Sequence, residues 1–526
     1  MDTSTMGKLN MAGSILIFPF KFAIIILLAL IFAPLTLLLS LINELCRIVV
    51  SLLLKVKYGA SKVTLVSKGE NNVWHFKKEG NYRIVTLLRI YKDPIDLDFL
   101  RDQFNRNVLE RTEADGRTKT FAQLKKTLVK KFGYFCERDD TQEFDLKKHI
   151  IAYDLSKPND NRDYFTDEEF FTTIMPNLTQ DMTEAKPQWE DVIMRVMFKD
   201  QDHPVTVQCL RWHHGIMDGV TVDSIHKFCM SNRPPGQELV EASGAPYPFN
   251  PFKPMRIGKY KLCLLKFVSF FTAPYIGIKS CLQLSHSRFF VKSYTNRRHF
   301  GWTSKMDFNL LKEIKNSMGG DVSISAIMAT ALSSTFQEMG RQFPREGKDD
   351  CTIPFTVIGS MLPYRGIGPQ NRFTVTPLAL PSGGQGDCWR ERLRTISAQI
   401  RGMDQRTLIS FYVPRWLGRF PVPLVNLALR ISGGIQQVTM TSMSTSREEW
   451  ALFGVSKLME LGGWPLLYVN NGLSIATTRY ADQFRFWIVS DNACLSREQF
   501  DYCTKQIVIE VNKMVTDCRT STFNEV

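Results

Sequence analysis

The segment Arg211-Trp-His-His-Gly-Ile-Met-Asp-Gly219 decides how the fold is interpreted. It follows residues 205–211, in which apolar and polar side chains alternate as they do in a β-strand. Adjacent histidines at the end of such a strand are uncommon, because burying an imidazole without partners costs free energy. Gly215 and Gly219 permit a tight turn and the close approach of a ligand. We therefore expect a strand, a turn that carries the two histidines, and then a helix.

The histidine pair suits proton-transfer chemistry. A neutral imidazole, with a pKa of about 6.5, can take the proton from a hydroxyl that attacks an acyl carbonyl. His214 is the candidate base, His213 is its neighbour, and Asp218 can fix the turn through a hydrogen bond or ion pair. Two other interpretations stay open on the spacing alone. One is metal binding, for which the His-Glu-x-x-His spacing is absent, and the other is a purely structural role.

The charge balance favours an anionic partner. There are 66 Lys+Arg against 52 Asp+Glu, which gives a formal net charge of +14. Lipid headgroups and a phosphate-bearing co-substrate fit this charge, whereas no zinc-finger spacing or RNA-binding signature supports nucleic acid. The eleven cysteines are scattered without a Cys-x-x-Cys pair. They favour a reduced compartment and indicate neither a zinc site nor a redox motif.

The amino terminus is strongly apolar. Residues 22–43 carry no charge and are mostly Leu, Ile, Phe and Ala, enough to cross a hydrocarbon core of about 30 Å as a helix. We therefore predict a membrane anchor within residues 1–57, either one transmembrane helix over 22–43 or a re-entrant hairpin over 11–54. More Lys and Arg follow the apolar run than precede it, which favours a cytosolic globular part.

The remaining chain alternates strand and helix patterns in two halves. We predict one α/β lobe over 58–232, a Pro-rich linker with an apolar basic crossover over 233–300, and a second α/β lobe over 301–526. Two basic apolar segments, 262–284 and 409–435, either lie in a membrane interface or pack between the lobes. The uninterrupted apolar run of the first, twelve residues, is short for a membrane span.

Several motifs resemble those of a known family. The histidine segment matches the His-His-x-x-x-Asp-Gly signature of the chloramphenicol acetyltransferase-like superfamily. Four further segments resemble elements of the wax ester synthase/diacylglycerol acyltransferase family: Phe144-Asp-Leu-Lys-Lys-His-Ile150, Lys186-Pro-Gln-Trp-Glu190, Met361-Leu-Pro-Tyr-Arg365 and Asn371-Arg-Phe373. Two elements depart from that family. Ser325-Ala326 stands where it often has Asn-Asp, and Thr441-Ser-Met-Ser444 replaces its Ser-Asn-Val-Pro-Gly-Pro element.

The resemblance implies a fold and a set of roles. The fold would be α/β, with two chloramphenicol acetyltransferase-like lobes around a central channel, preceded by the amino-terminal helix. His214 would be the catalytic base, His213 a supporting neighbour and Asp218 a structural residue, with no metal, no acyl-enzyme intermediate and no cofactor beyond acyl-CoA as co-substrate. The motif would be supported by Gly215, Gly219, Pro187 and Trp189, and the substrates would meet Arg365, Asn371, Arg372 and Ser442.

The activity implied by the resemblance is that of a long-chain acyl-CoA:alcohol O-acyltransferase. Its products would be wax esters, triacylglycerol or both. Its partners would be acyl-CoA, a long-chain alcohol or diacylglycerol, and membrane lipids, with no nucleic acid. The endoplasmic reticulum is the expected location, with the plasma membrane as the alternative. A catalytically silent lipid-binding or scaffold protein on the same fold, or an acyltransferase for another small alcohol or an amine, are the competing hypotheses.

Overall fold

Strands and helices alternate along the part of the chain that the computed structural model describes. That part comprises residues 3–76, 82–154, 162–231, 250, 253, 258–282, 287–344, 352–383, 388–400, 405–432 and 436–523, with the side chains of 3–22, 259, 279–282, 405–406 and 521–523 left aside. The helices are α1 Thr3–Tyr58, α2 Gly69–Asn72, α3 Leu97–Phe104, α4 Asp167–Glu169, α5 Met175–Leu178, α6 Gly219–Ile225, α7 Lys259–Leu282, α8 Asn309–Ser317, α9 Ile324–Gln342, α10 Trp389–Ile400, α11 Gln405–Leu417, α12 Val422–Ser432 and α13 Arg497–Phe523.

The strands form two large sheets and one small one. They are β1 Val63–Leu65, β2 Ile84–Tyr91, β3 Lys126–Lys131, β4 Tyr134–Asp139, β5 Ile150–Ala152, β6 Phe165–Thr166, β7 Trp189–Met197, β8 Val205–His213, β9 Arg298–Trp302, β10 Met306–Asp307, β11 Thr352–Ser360, β12 Phe373–Pro381, β13 Val438–Ser444, β14 Ala451–Leu452, β15 Ser456–Trp464, β16 Leu473–Tyr480 and β17 Gln483–Asp491. The small sheet has the order β1-β4-β3.

The first large sheet has the order β14-β15-β2-β8-β7-β5, with β6 also beside β7. Its central strand β8 is buried over all positions but Arg211, which explains its mostly apolar composition. The edge strands β14 and β15 come from the half that we predicted as the second lobe. Residues 451–464 therefore cross into the first lobe, and the lobes are not two consecutive stretches of sequence.

The second large sheet has the order β10-β17-β16-β13-β11-β12, with β9 also on β17. The strands β16 and β17 form the antiparallel pair that the sequence predicts. One apolar core joins the two large sheets, since Leu88 and Val207 of the first share it with Ile475 and Trp487 of the second. Each lobe is thus built on one large sheet with helices packed around it, which confirms the predicted α/β fold class.

Two of the apolar segments, the amino-terminal one and the one at 262–284, are helices on the outside of this fold. Thr3–Tyr58 is one continuous helix, so the alternative of a hairpin over 11–54 is wrong. Lys259–Leu282 is also one continuous helix, and it is longer than the twelve-residue apolar run that it contains. Within the described residues, α1 and α7 are two helices long and apolar enough to cross a membrane. Most of the Pro-rich linker over 233–254 lies outside the described residues.

Candidate active site

The two predicted histidines lie where β8 ends. His213 is the last residue of the strand, and its backbone N–H donates to Gln188 O over 2.9 Å. His214 follows, and its N–H donates to Arg83 O over 3.1 Å. Both backbones are therefore held to neighbouring segments of the first lobe. This fixes where their side chains leave the chain, as the pattern of strand, turn and helix predicts.

The His214 ring is oriented by Asn371. The Asn371 Nδ2 amide donates to His214 O at 2.9 Å and to Asn71 Oδ1 at 3.0 Å. A backbone carbonyl only accepts hydrogen bonds, so the Oδ1 of Asn371 is the atom that faces His214 Nδ1, at 3.2 Å. His214 Nδ1 must then carry the proton. Among the residues that the structure describes, His214 Nε2 has no hydrogen-bond partner, and the residue is only half-buried.

The surroundings keep His214 uncharged. Trp74 stacks on its ring with centroids 3.9 Å apart and planes 18° from parallel, and Phe373 lies on the Trp74 ring. Removal of water by these rings lowers the pKa of His214 to about 4, although the Asn371 hydrogen bond acts in the opposite direction. At neutral pH the imidazole is therefore a proton acceptor.

The His213 side chain is hydrogen-bonded within the turn that follows it. This side chain is buried, and burial together with the positive charge of Arg83 holds the pKa well below the usual value. Its Nδ1 accepts the Gly215 N–H at 3.0 Å. A side chain at Gly215 would meet that same Nδ1 at 2.9 Å and Asn71 O at 3.0 Å, which explains why glycine stands there.

Asp218 is a structural carboxylate. It is the N-cap of α6, and its Oδ1 accepts from Thr221 N at 3.0 Å. Its Oδ2 accepts from Tyr364 Oη at 2.6 Å and from Arg372 N at 2.8 Å. Burial raises the pKa of Asp218, whereas the Tyr364 hydrogen bond lowers it. Asp218 thus joins the start of α6 to the loop that carries Asn371, through a tyrosine and a backbone amide.

The motif-support residues lie in or beside the first lobe. Pro187 and Trp189 are buried, and Trp189 Nε1 donates to Leu124 O at 2.8 Å. Trp189 is the partner of Trp212 across β7 and β8, so it aligns the strand before the histidines. Gly219 opens α6, and a side chain there would touch the Met443 sulfur at 3.5 Å. This contact brings the end of β13 beside the turn.

The predicted substrate residues separate into two groups. Asn371 is fully buried and contacts His214, as described above. Arg365 is exposed, and its only described contacts are backbone ones to Gln370. The Arg372 side chain turns away to Met361 O and the ring of Phe411. Ser442 is exposed on β13, whereas its neighbour Met443 faces Gly219. Of the four, the structure brings only Asn371 into contact with His214.

Two contributors to the site were missed at the sequence level. Asn71 and Trp74 lie on the segment 69–75, which carries no motif. Two glycines bring that segment against α11: a side chain on Gly418 would overlap the carbonyl of Gly69. Asn72 Nδ2 donates to Gly418 O at 2.7 Å, which holds the same contact. Gly69 and Gly418 allow the two backbones to approach closely, but the sequence does not show that these two glycines lie opposite each other.

Arg415 of α11 ties the two sides of the site together. Its Nη2 donates to Asn371 O at 2.9 Å and lies 3.5 Å from Glu70 Oε1. The helix α11 therefore holds both the loop that orients His214 and the segment that covers it. Among the described residues, no group of three or more His, Cys, Asp or Glu could hold a metal ion.

The fold of the described residues is shared with several solved structures. The chain shares this fold with the wax ester synthase/diacylglycerol acyltransferase from Marinobacter aquaeolei VT8, at 14% identity and a TM-score of 0.53, over 86% of this chain and 99% of that one. A starter condensation domain of rhizomide synthetase in complex with C8-CoA matches at 12% identity and a TM-score of 0.54, over 87% and 96%. The epimerization domain of tyrocidine synthetase matches at 11% and 0.52, over 86% and 97%. No family model and no curated protein matches the sequence.

Proposed function

We propose that this protein transfers a long-chain acyl group from acyl-CoA to a lipid alcohol, with His214 as the general base. The observation that carries the proposal is the state of His214. Its Nδ1–H is held by Asn371 Oδ1, its Nε2 has no partner in the part of the chain that the structure describes, and burial lowers its pKa to about 4. A fixed tautomer with an available lone pair is what a general base needs.

The reaction would run in one displacement. His214 Nε2 takes the proton of the acceptor hydroxyl while the hydroxyl oxygen forms a bond to the thioester carbonyl carbon. The tetrahedral intermediate then expels CoA as a thiolate by breaking the C–S bond, and the His214 imidazolium returns the proton to that sulfur. General-base catalysis of this kind contributes about 10² to 10⁴-fold, and positioning of the two substrates contributes the rest.

Acyl-CoA is the acyl donor that best fits the chain. A condensation domain of the same fold holds C8-CoA. The formal charge of +14 suits the phosphates of CoA. A lipid alcohol is the acceptor that best fits α1, whose side chains over residues 23–39 are almost all apolar and mostly exposed. We propose that α1 anchors the protein in the endoplasmic reticulum membrane, where such an alcohol dissolves, with the catalytic part in the cytosol.

The proposal is tested with detergent-solubilised full-length protein and labelled palmitoyl-CoA. Hexadecanol, diacylglycerol, a short alcohol and a long-chain amine are offered separately, because condensation domains share the fold. Labelled ester from hexadecanol or diacylglycerol is expected and names the acceptor. Amide as the main product would assign the protein to the amine-acylating alternative. Retained binding of palmitoyl-CoA without product from any acceptor would leave the silent lipid-binding alternative.

A further inference from the structure

Helix α7 packs against α1 and α11, and these three helices, like α12 farther along the chain, expose apolar side chains to the outside. On α7, the side chains of Leu262 and Leu265 pack inward against Leu408 and Phe411 of α11. The opposite side of α7 and the outer sides of its neighbours are exposed. We call the following side chains the outer apolar surface: Leu41, Leu45, Ile48, Leu52 and Val56 of α1, Leu264, Phe267 and Phe270 of α7, Tyr412 and Trp416 of α11, and Leu424, Leu427 and Ile431 of α12.

Such a surface is not stable in water. A helix that is apolar on all sides is covered either by protein or by lipid. The inner side of α7 is covered by α1 and α11, but Leu264 and Phe267 are 62% and 63% exposed. Exposed apolar patches larger than a few hundred Å² mark interaction sites. The outer apolar surface therefore needs an occupant.

The course of α1 indicates that this occupant is lipid. The apolar part of α1, Ala23–Tyr58, has 36 residues and is about 54 Å long, whereas the hydrocarbon core is about 30 Å thick. Beyond Ser40 one side of α1 is polar and is bound to the protein. Asn43 Nδ2 and Arg47 Nη1 both donate to Arg419 O at 3.2 Å, and Glu44 receives two hydrogen bonds from Arg419 at 2.7 and 2.8 Å.

The second half of α1 therefore lies along the catalytic part with its apolar side still outward. That side continues the surface of the first half, which we have proposed to be in the membrane. The charges agree with a bilayer surface, because Glu44 is the only acidic residue in the sequences of α1, α7, α11 and α12. Lys261 precedes the exposed apolar residues of α7 and Lys266 lies among them, and both exposed ammonium groups suit anionic headgroups.

Helix α7 is long enough to cross the membrane, but residues near both of its ends are held against the catalytic part. Leu262 and Leu265 near its first turn pack on the catalytic part, as described above. Only five residues after Leu282, Ser287 is buried, with its Oγ 2.7 Å from Gln437 Oε1. Five residues reach about 17 Å at full extension, which is too short to return across a core of about 30 Å. Both ends of α7 are thus held on the same side of the membrane.

We infer that α7, α11, α12 and the second half of α1 lie flat in one leaflet, so that the catalytic part is embedded in the bilayer through the outer apolar surface. This rests on the proposed function in that α1 anchors the protein. Because α11 also holds Asn371 and the segment over His214, a lipid alcohol in that leaflet is next to the elements that form the site. The inference thereby names the route of the acceptor, from the membrane and not from water.

Fluorescence quenching by spin-labelled lipids tests the inference. An environment-sensitive fluorescent amino acid replaces Leu264 or Leu427 in the full-length protein, in vesicles of phosphatidylcholine and phosphatidylserine. The lipids carry a nitroxide either near the headgroup or near the end of the acyl chain. We expect loss of fluorescence at both positions, and a larger loss with the shallow nitroxide. Val455 and Ile509 are matched control positions, each apolar and more than half exposed but on other elements, and we expect no quenching there.

A fluorescent label at Leu30 of α1 distinguishes the proposed anchoring by α1 from the proposed embedding of the outer apolar surface. We expect its fluorescence to be quenched more by the deep nitroxide. If only the Leu30 label is quenched, α1 is an anchor but the outer apolar surface is covered by protein, and the inference is overturned. If the Leu264 label is quenched mainly by the deep nitroxide, α7 spans the bilayer and the inference is also overturned. Quenching of the Leu264 and Leu427 labels without quenching at Leu30 would support the embedded surface and reject the anchor.

Discussion

At the residue scale, the account depends on the protonation of His214, on which burial and the hydrogen bond to Asn371 act in opposite directions. Since burial lowers the pKa of His214 to about 4, the imidazole is neutral above that pH and protonated below it. The acid limb of kcat/KM should therefore lie near pH 4, well below the value of about 6.5 for a free imidazole. In Asn371→Asp a carboxylate faces Nδ1, which favours the imidazolium, and the limb should move to higher pH.

The exposed Asn316→Asp is the control, and its pH profile should match the wild type. A limb that stays in place in Asn371→Asp would show that Asn371 does not act on the base. The sequence pattern led to His214 and, through the resemblance, to Asn371. It could not reveal the tautomer, because that depends on a carbonyl and an amide that lie 157 residues apart in the chain.

A second residue-scale prediction concerns Tyr364. Its hydroxyl donates to Asp218 Oδ2 at 2.6 Å in a buried setting. Tyr364→Phe removes that donor and leaves a buried carboxylate with fewer partners, which should lower the free energy of unfolding by about 1–3 kcal/mol. Thermal unfolding of the detergent-solubilised variant measures the loss. Tyr412→Phe on the outer side of α11 should have no such effect, and an equal loss in both variants would remove the special role of Tyr364.

At the element scale, the close contact between α11 and the segment 69–75 positions the cover of the site. A methyl group at Gly418 would overlap the Gly69 carbonyl, and this contact is between backbones, which cannot move aside as a side chain can. Gly418→Ala should therefore displace the segment that carries Trp74 and reduce acyl transfer along with stability. Gly277→Ala on α7 has no atom within 4 Å of the new methyl group and should retain both. Full activity in Gly418→Ala would show that the contact is dispensable.

Most elements could be predicted from local pattern, and their partners could not. The strands at 205–211 and 483–489 are confirmed because alternating or continuous apolar runs report burial directly. The surroundings of the segments 262–284 and 409–435 could not be predicted, since an apolar helix has the same sequence pattern whether protein or lipid covers it. In the structure α7 packs on α1 and α11, whereas α11 also contacts β12 of the second lobe and α2 of the first, so the packing alone does not decide between the two interpretations.

At the scale of the whole molecule, the two lobes depend on each other where β15 crosses between them. A side chain at Gly462 of β15 would overlap the Trp487 ring of β17. Gly462→Ala should force the two sheets apart and destabilise the protein by about 1–3 kcal/mol, measured as a lower thermal midpoint. Gly359→Ala, whose methyl group would sit 3.6 Å from Thr374 Cγ2, is the matched control and should stay near the wild type. Equal midpoints for both variants would contradict a shared core.

The exchange of strands between the lobes also explains why their boundaries were not predictable. Residues 451–464 look like any other strand pair in the second half, and nothing local shows that their partner is β2. The pairing of β15 with β2 depends on tertiary packing between residues that are far apart in the sequence. By contrast, the class of fold was accessible from the sequence, through the alternation of strand and helix patterns and through the resemblance carried by residues 211–219 and the four further motif segments.

The central claim, that His214 is the general base, is tested most directly by the rate of ester formation from palmitoyl-CoA and a lipid alcohol. Wild type is compared with His214→Ala and with His203→Ala, an exposed histidine before β8. The account predicts a loss of about 10² to 10⁴-fold in His214→Ala with acyl-CoA binding retained, and no loss in His203→Ala. Equal rates in wild type and His214→Ala would contradict the claim and would require another base for the reaction.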